Sequence, residues 1–400
     1  MGGAILGTVT SQSMLDFFTI LMFFGFLKDL KQNPKDTLNR FKFFGNEWAI
    51  LGYFITVILG YMINASPDAE VGRGLFKFMW VPNLFLYYYV FTKIKFNISG
   101  YISFFSLAFV FPNIYAVESY ISGVDMLTQK TIDRAIGLVD SATYHAHANA
   151  VIFVVFFFLM YYGGRKFLSR KFYLFSVGTL FLLLSSIAVS MTRGAWAAVV
   201  FGISLFFSLF RLNYLIKFIV GFIIIFVTAF FLWPGLRQRL DFSNNQNKAY
   251  IRLNLLMVNF QMWGEHPWLG IGYGENQRRN REYWDRPEWE MPEDYIISHA
   301  HNQVVNVMAT TGVIGLFFFL CFYIHFIKQN WIAFFRSKKG TAANWVLGTC
   351  LAAQICFVLL CVTDITFEYA KIRALILMVW AAMMAVINGY FAKEEPYHES

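Results

Sequence analysis

The chain has 400 residues, of which 58% are hydrophobic and only 14% are charged, with 47 phenylalanines and a mean hydropathy of +0.51. Its apolar residues come in long blocks rather than in scattered amphipathic stripes, which excludes an ordinary soluble globular protein and predicts a membrane protein with several spans. The net charge of +9 is expected to reflect lysines and arginines held on one side of the membrane, and no nucleic-acid-binding module is visible.

Apolar runs long enough to cross a bilayer recur from one end of the chain to the other. Because a spanning helix needs roughly 20 mostly apolar residues, the pattern predicts an all-α polytopic membrane protein with about 11–12 transmembrane helices. Pro82 interrupts the third run, and the first run is short. The predicted spans are residues 11–27, 47–65, 74–92, 97–117, 148–163, 171–190, 194–210, 213–233, 301–327, 342–362 and 370–391.

The start of the chain and the cysteines add little to this assignment. The first residues lack a basic region ahead of an apolar core, so a cleaved signal peptide is not expected. The four cysteines fall inside apolar blocks without metal-binding spacing, which is typical of small buried hydrophobic residues. They are Cys321, Cys350, Cys356 and Cys361.

Lysines and arginines collect in alternate loops, which predicts the orientation of the spans. Such residues are retained on the cytoplasmic side, so the loops without them are expected outside, together with the amino terminus. The outer segments are then residues 118–147, 234–300 and 363–373. We therefore expect a single integral membrane domain, residues 1–400, with one large outer loop, residues 234–300.

Arginines stand in two of these outer segments and at one outer junction between spans. Arg134 lies in the first outer loop, Arg193 lies between the sixth and seventh spans, and Arg252 begins an amphipathic stretch in the large loop. Ionisable groups near the membrane are costly and tend to serve a function. The alternatives are that Arg193 extends to the interface and that Arg252 is solvated on an interfacial helix.

Two His-x-His pairs, His145 with His147 and His299 with His301, also fall on the outer side. In an extended segment the two imidazoles of such a pair lie on the same face and could bind one metal ion. We do not expect a metal or other cofactor, because no cysteine supports the pairs and the outer carboxylates do not cluster at ligand spacing.

The second pair stands at the start of the ninth span, where it could merely polarise the interface. If a helix begins between Ser298 and Asn302, its N-terminal dipole keeps an imidazole neutral, as a general base must be. Residues i and i+2 of a helix do not share a face, so only one of His299 and His301 is expected to act.

Four segments in order resemble the O-antigen ligase and polymerase superfamily of bacterial membrane glycosyltransferases. "HNQVVNVMATTGVIGLFFF" is similar to its His-Asn…Thr-Gly segment, and "GEHPWLGIGYGE" to its His-Pro-x-x-Gly element. "MTRGAW" and "DRAIGLVDSATYHAHANAV" resemble its Thr-Arg-Gly turn and its Arg-x-x-Gly…Asn segment. The resemblance covers about residues 130 to 375. The second histidine, His299, and the irregular "SATYHAHAN" depart from the family pattern.

The resemblance implies a metal-independent inverting transfer on the periplasmic face of the bacterial inner membrane. The donor would be a glycan on undecaprenyl diphosphate, and the acceptor would be a sugar hydroxyl of lipid A-core in a ligase or another lipid-linked repeat unit in a polymerase. By the same resemblance His301 is the catalytic histidine, and Arg193, Arg252 and Arg134 bind the donor diphosphate. The residues that could support them are His299, Asn302, His145 and His147.

This chemistry also suits the residue types themselves. Guanidinium groups suit a diphosphate leaving group, and histidine suits an acceptor base. We expect an O-antigen ligase, since the chain is compact and has one large outer loop. The alternatives are a polymerase, a protein O-glycosyltransferase and a lipid-linked glycan transporter. Tryptophans of the large loop could stack on the glycan or anchor at the interface. They are Trp263, Trp268, Trp284 and Trp289.

Overall fold

A computed structural model describes residues 1–41, 44–64, 80–139, 141–210, 212–234, 236–237, 246–284 and 298–390. Across these residues the chain is helical, with no strand beyond a single bridge between Val124 and Thr131. The helices are α1 (Gly2–Gly7), α2 (Gln12–Gln32), α3 (Pro34–Arg40), α4 (Glu47–Asn64), α5 (Trp80–Lys93), α6 (Ile98–Ala108), α7 (Val110–Ser122), α8 (Ala142–Leu159), α9 (Arg170–Val189), α10 (Arg193–Phe210), α11 (Leu212–Leu232), α12 (Gln246–Glu265), α13 (Glu275–Arg279), α14 (Gln303–Arg336), α15 (Ala342–Thr363) and α16 (Ala370–Ile387).

Eight helical stretches in the described part of the chain are long and apolar enough to cross a membrane. They are α4, α6 with α7, α8 with its continuation to Phe167, α9, α11, α14, α15 and α16. A shorter apolar stretch, Arg193–Ser208, lies in α10. The prediction of an all-α polytopic membrane protein is confirmed.

The two remaining predicted spans also coincide with helices. The first, α2, contains Asp16, Lys28, Asp29 and Lys31, and does not meet the same criterion. The third predicted span contains α5, which has 14 residues from Trp80 onwards, while residues 65–79 lie outside the described part of the chain.

The bundle is built around α15, which packs against α8, α10, α14 and α16. The side chains of α8 and α16 are buried along most of their length, whereas α11 has no buried residue among those described. An apolar helix that covers no protein core suits a surface that faces lipid. The buried helices of the bundle therefore determine the positions of the residues at their ends.

The helix α14 is broken at Gly312, whose backbone has φ 66° and ψ −171°. The segment before the break accepts hydrogen bonds from the loop "HPWLGIG": the N–H of Ile271 donates to Ala309 and that of Gly272 to Thr310. After the break, the N–H of Val313 donates to the carbonyl of Pro267. The loop thus satisfies backbone groups that the break leaves unpaired, as irregular backbone within a membrane protein requires.

Buried amides hold the same loop region against α14. The side-chain N–H₂ of Asn276 in α13 donates to Asn259 in α12 at 2.7 Å and to Asn306 in α14 at 2.8 Å. All three side chains are almost fully buried. Part of the large predicted loop is therefore packed onto the start of α14, next to His301.

Candidate functional site

The predicted site residues lie where several helices meet at one end of the bundle. The starts of α8, α10, α14 and α16 meet the end of α15, and the turn at residues 364–369 joins α15 to α16. Asp364 is the C-terminal cap of α15 and is 3% exposed. This buried carboxylate is the residue that the surrounding polar groups share.

Both histidines of the second pair approach Asp364. The Nδ1 of His301 lies 3.4 Å from Asp364 Oδ1, and the Nδ1 of His299 lies 3.6 Å from the same oxygen. The hydroxyl of Tyr369 donates to this oxygen at 3.0 Å and lies 2.9 Å from His299 Nε2. The four side chains form one cluster, which we call the His–Asp cluster.

The periodicity argument does not apply to the two histidines, since they precede the helix, and the expectation that only one of them acts stays a prediction. His299 and His301 precede α14, and Asn302 is the N-cap, whose side chain accepts from the N–H of Val305 at 3.1 Å. His301 adopts φ 48°, a left-handed conformation that few non-glycine residues take. This bend turns both imidazoles toward one carboxylate.

The hydrogen bonds of His299 determine which of its nitrogens carries the proton. Its Nδ1 accepts from the backbone N–H of His301 at 3.2 Å, so a neutral ring is protonated at Nε2 and donates to the Tyr369 hydroxyl. Burial lowers the pKa of His299 to about 4, and the nearby Asp364 carboxylate opposes the shift only in part. Neither nitrogen of a neutral His299 is then left to accept a substrate proton.

His301 is arranged differently. Its Nδ1 faces Asp364 at a distance too long for a well-formed hydrogen bond, and its Nε2 lies 3.4 Å from the hydroxyl of Ser298. Catalytic hydrogen bonds are often long without substrate. With Nδ1 protonated toward the carboxylate, Nε2 is the nitrogen that can accept a proton.

The charge of Asp364 is maintained by its neighbours. Burial acts to raise the pKa of this carboxyl, but the neighbouring side chains of His301 and His299 outweigh burial and lower the pKa overall. Burial and the Asp364 carboxylate raise the pKa of Tyr369, which keeps its hydroxyl protonated as a donor. Asp364 therefore remains an anion beside His301.

Two contacts fasten the start of α14 to the turn that carries Asp364. The side chain of Asn302 donates to the carbonyl of Val362 at 3.1 Å, and that of Gln303 accepts from the N–H of Phe367 at 3.0 Å. These contacts lie on either side of Asp364 in the chain. They fix the spacing between His301 and Asp364.

The three predicted arginines line one narrow cleft. Arg134, Arg193 and Arg252 surround it together with His147 and Asp364. Its volume is about 30 Å³, which leaves room for about two water molecules. His299 and His301 do not line the cleft, and they reach it through Asp364.

Local sequence explains how two of the arginines are held. The guanidinium of Arg134 donates to the carbonyl of Ser190 and to the hydroxyl of Thr192, both at 2.9 Å. Gly194 follows Arg193, and a Cβ at Gly194 would lie 2.5 Å from Thr363 Oγ1. A glycine at this point lets Arg193 approach the end of α15, one residue before Asp364.

The first His-x-His pair does not act as a pair. Both residues lie on α8, which begins at Ala142 rather than at residue 148, so the extended geometry required of a metal pair is absent. His147 faces the cleft and lies 3.2 Å from the Thr366 hydroxyl. His145 instead contacts Ser186 at 2.6 Å and Asn149, away from the cleft.

His299, His301 and Asp364 form the group of described residues that could hold a metal ion, with ligand atoms within 4.8 Å of one another. The expectation that no outer carboxylate clusters with the histidines is therefore wrong. A metal would have to displace the hydrogen bonds that His299 Nδ1 and Asp364 Oδ1 already accept. The observed contacts suit a proton-transfer pair better than a set of open ligands.

Asp364 and Tyr369 were not among the sequence candidates. Both lie in the short turn "TDITFEY", which was predicted to be outside, and a carboxylate between two apolar spans was the available signal. Of the predicted loop tryptophans, Trp268 is 67% exposed, Trp284 packs on a small core that includes residues of α12, and Trp289 lies outside the described residues.

Residues 178–320 match a family model described as O-antigen ligase. The match confirms, over this segment, the resemblance to the O-antigen ligase and polymerase superfamily. It includes Arg193, Arg252 and His301, whereas Arg134 and Asp364 lie outside it. No curated protein matches the chain.

Proposed function

We propose that this chain is an O-antigen ligase, which transfers a glycan from undecaprenyl diphosphate to a sugar hydroxyl of lipid A-core. The observation that carries the proposal is the meeting of the His–Asp cluster with the arginine cleft at Asp364, in a chain whose central segment matches the family. The proposed location is the bacterial inner membrane, with this end of the bundle facing the periplasm. Residues 234–300 are the proposed periplasmic loop of a single membrane domain.

The chemical step is a direct displacement at the anomeric carbon. The acceptor oxygen forms the new glycosidic bond as the bond from the anomeric carbon to the diphosphate oxygen breaks. The acceptor proton passes to Nε2 of His301, and the electron pair of the broken bond leaves with undecaprenyl diphosphate. Asp364 stabilises the imidazolium that forms, since an anion beside Nδ1 favours the protonated ring.

The arginines are proposed to stabilise the leaving group. Guanidinium groups bind phosphate oxygens through paired hydrogen bonds, and three of them oppose the negative charge that develops on the diphosphate. The cleft is too narrow for a diphosphate as it stands. Arg252, which is exposed on α12, is the side chain proposed to move aside as the donor enters.

The test uses the purified protein in proteoliposomes with undecaprenyl-diphosphate-linked glycan and rough lipopolysaccharide, which ends in lipid A-core. We expect the wild type to form glycan-bearing lipopolysaccharide and His301→Ala to lose about 10²–10⁴-fold in rate, the usual contribution of a general base. His325→Ala is the matched control, because His325 contacts the carbonyl of Phe44 at the other end of the bundle.

The reaction products distinguish the proposed ligase from the alternative functions. Joined repeat units on undecaprenyl diphosphate would identify a polymerase, and glycan on a protein serine or threonine would identify a protein O-glycosyltransferase. Movement of the donor without a new glycosidic bond would identify a transporter. Near-normal transfer by His301→Ala would contradict the assignment of the base.

A further inference from the structure

A second cavity adjoins the His–Asp cluster on the side of Tyr369. Its volume is about 370 Å³, and it shares no lining residue with the arginine cleft. The Tyr369 side chain lines this cavity, while its hydroxyl reaches His299 and Asp364. Two separate spaces therefore approach one reacting centre, as a transfer between two substrates requires.

The lining of this cavity is nearly uncharged and mixes hydroxyl groups with aromatic and aliphatic side chains. The segment between α1 and α2 contributes Thr8, Thr10 and Ser11, and the start of α16 contributes Lys371. Lys371 is the one charged side chain among the described residues that line it. Hydroxyl and aromatic side chains suit a sugar, whereas the arginines that suit a diphosphate all lie in the other space.

A separate apolar crevice lies further along α16. Leu375, Met378, Val379 and Ala382 line the crevice on one face of the helix, and Ile372, one turn before Leu375, lines the cavity above. The ten helical steps from Ile372 to Ala382 extend about 15 Å along the helix axis. The α1 residue Ile5 lines the crevice one turn before Thr8, so the start of the chain and α16 contribute to both spaces, while α5, α6, α8 and α15 supply most of the rest of the crevice lining.

We propose that the hydroxyl-bearing cavity and the apolar crevice together bind the acceptor lipid. The acceptor headgroup occupies the cavity with a sugar hydroxyl directed past Tyr369 toward His301, and one hydrocarbon chain occupies the crevice. This inference rests on the proposed glycosyl transfer. It adds that the acceptor is selected by α1, the start of α2 and α16, all outside the segment that matches the family.

The first test narrows the crevice. Val379→Phe places a larger side chain in the crevice and reduces its free volume, and Val220→Phe makes the same change on the exposed surface of α11 as a control. With rough lipopolysaccharide as acceptor, we expect Val379→Phe to raise the acceptor KM about tenfold, a loss of about 1.4 kcal/mol, and to leave the donor KM unchanged. The control should match the wild type in both constants.

A second variant changes a residue that lines the cavity at the start of α16. Ala370→Leu adds bulk at the exposed first residue of α16, and Ala342→Leu at the first residue of α15 is its control. Binding of rough lipopolysaccharide, without donor, is measured by native mass spectrometry of the purified protein. We expect Ala370→Leu to reduce the bound fraction while its control does not.

The outcomes separate this inference from the proposed function. If the wild type forms no transfer product with either rough lipopolysaccharide or lipid-linked repeat units, the proposed function fails. If it transfers but Val379→Phe raises the donor KM alone, the crevice holds the donor and the acceptor assignment is overturned. Unchanged binding in Ala370→Leu together with unchanged KM values in Val379→Phe would also overturn it. If only lipid-linked repeat units are accepted, a raised KM for that acceptor supports the same site.

Discussion

Asp364 is the residue on which the site depends, because it joins the histidines to the arginine cleft. Replacing it with Asn keeps an oxygen that can accept from Tyr369 and from the N–H of Ile365, but removes the negative charge. We expect Asp364→Asn to lower kcat roughly 100-fold, within the range for general base catalysis. The donor KM should change little, since the arginines remain.

Transfer rates in proteoliposomes at several donor concentrations measure this effect. Asp36→Asn is the control, because Asp36 is an exposed carboxylate of α3 paired with Arg40. A mainly structural role for Asp364 would instead appear as loss of folded protein with kcat per folded molecule unchanged.

We also predict that the buried imidazole of His299 makes the folded protein less stable in acid. Its pKa is about 4 in the folded chain against 6.5 for an ordinary histidine, so the unfolded chain binds the proton more readily. As pH falls from 6.5 toward 4, protonation therefore favours unfolding, and the contribution of a neutral His299 to stability is lost.

Thermal unfolding in detergent at pH 7.5 and pH 5 measures this effect. We expect Tm to fall less between these values in His299→Gln than in the wild type, since glutamine does not titrate. His266→Gln serves as the control outside the cluster. An equal fall in His299→Gln and the wild type would contradict the lowered pKa.

The sequence predicted some residues of the His–Asp cluster and the arginine cleft and missed others. The arginines and His301 stood out as costly groups in outer segments, and the structure brings the three arginines to one cleft; their roles stay predictions. Asp364 and Tyr369 lie more than 60 residues after His301 and reach it only because α14 and α15 pack together. Spacing along one chain does not specify that contact.

The break in α14 explains why the sequence contains both a glycine-rich loop before this helix and a glycine within it, since the two segments pack against each other. The loop "HPWLGIG" packs so closely on "ATTGVIG" that a Cβ at Gly312 would lie 2.2 Å from the carbonyl carbon of Trp268. The backbone of Gly312 also has positive φ with extended ψ, a region essentially confined to glycine.

Gly312→Ala is therefore expected to destabilise the protein and to reduce transfer, because the displaced loop lies against the start of α14. Gly221→Ala is the control, since no atom lies within 4 Å of a Cβ added there. Melting temperature and yield of monodisperse protein in detergent give the measurement. Equal values for the two variants would show that the loop does not depend on the close approach at Gly312.

Helix positions were predictable where hydropathy alone decides, and less so where polar residues are buried. The start of α8 is six residues earlier than predicted because "ATYHAH" looks like an outer loop in a hydropathy profile. In the folded chain His145 bonds Ser186 and His147 lies near Thr366, so the segment is helical and buried. Residues distant in the sequence supply the polar partners of the two histidines, and local composition does not show such contacts.

At the scale of the whole molecule, the bundle separates the His–Asp cluster and arginine cleft from the basic loops. The loop before α8 lies with the site, whereas the turn between α14 and α15, with Lys338 and Lys339, lies at the opposite end of those helices. The positive-inside pattern predicts that the site end faces the periplasm. Labelling with a membrane-impermeant maleimide tests this orientation.

Leu127→Cys and Lys339→Cys form a matched pair for that experiment, since both positions are exposed in loops at opposite ends. The four native cysteines lie within helices α14 and α15, two buried and two partly buried, and the unmodified chain measures their background. In spheroplasts Leu127→Cys should label at once, and Lys339→Cys only after the membrane is permeabilised. The reverse pattern would place the arginine cleft in the cytoplasm, where a periplasmic transfer to lipid A-core could not occur.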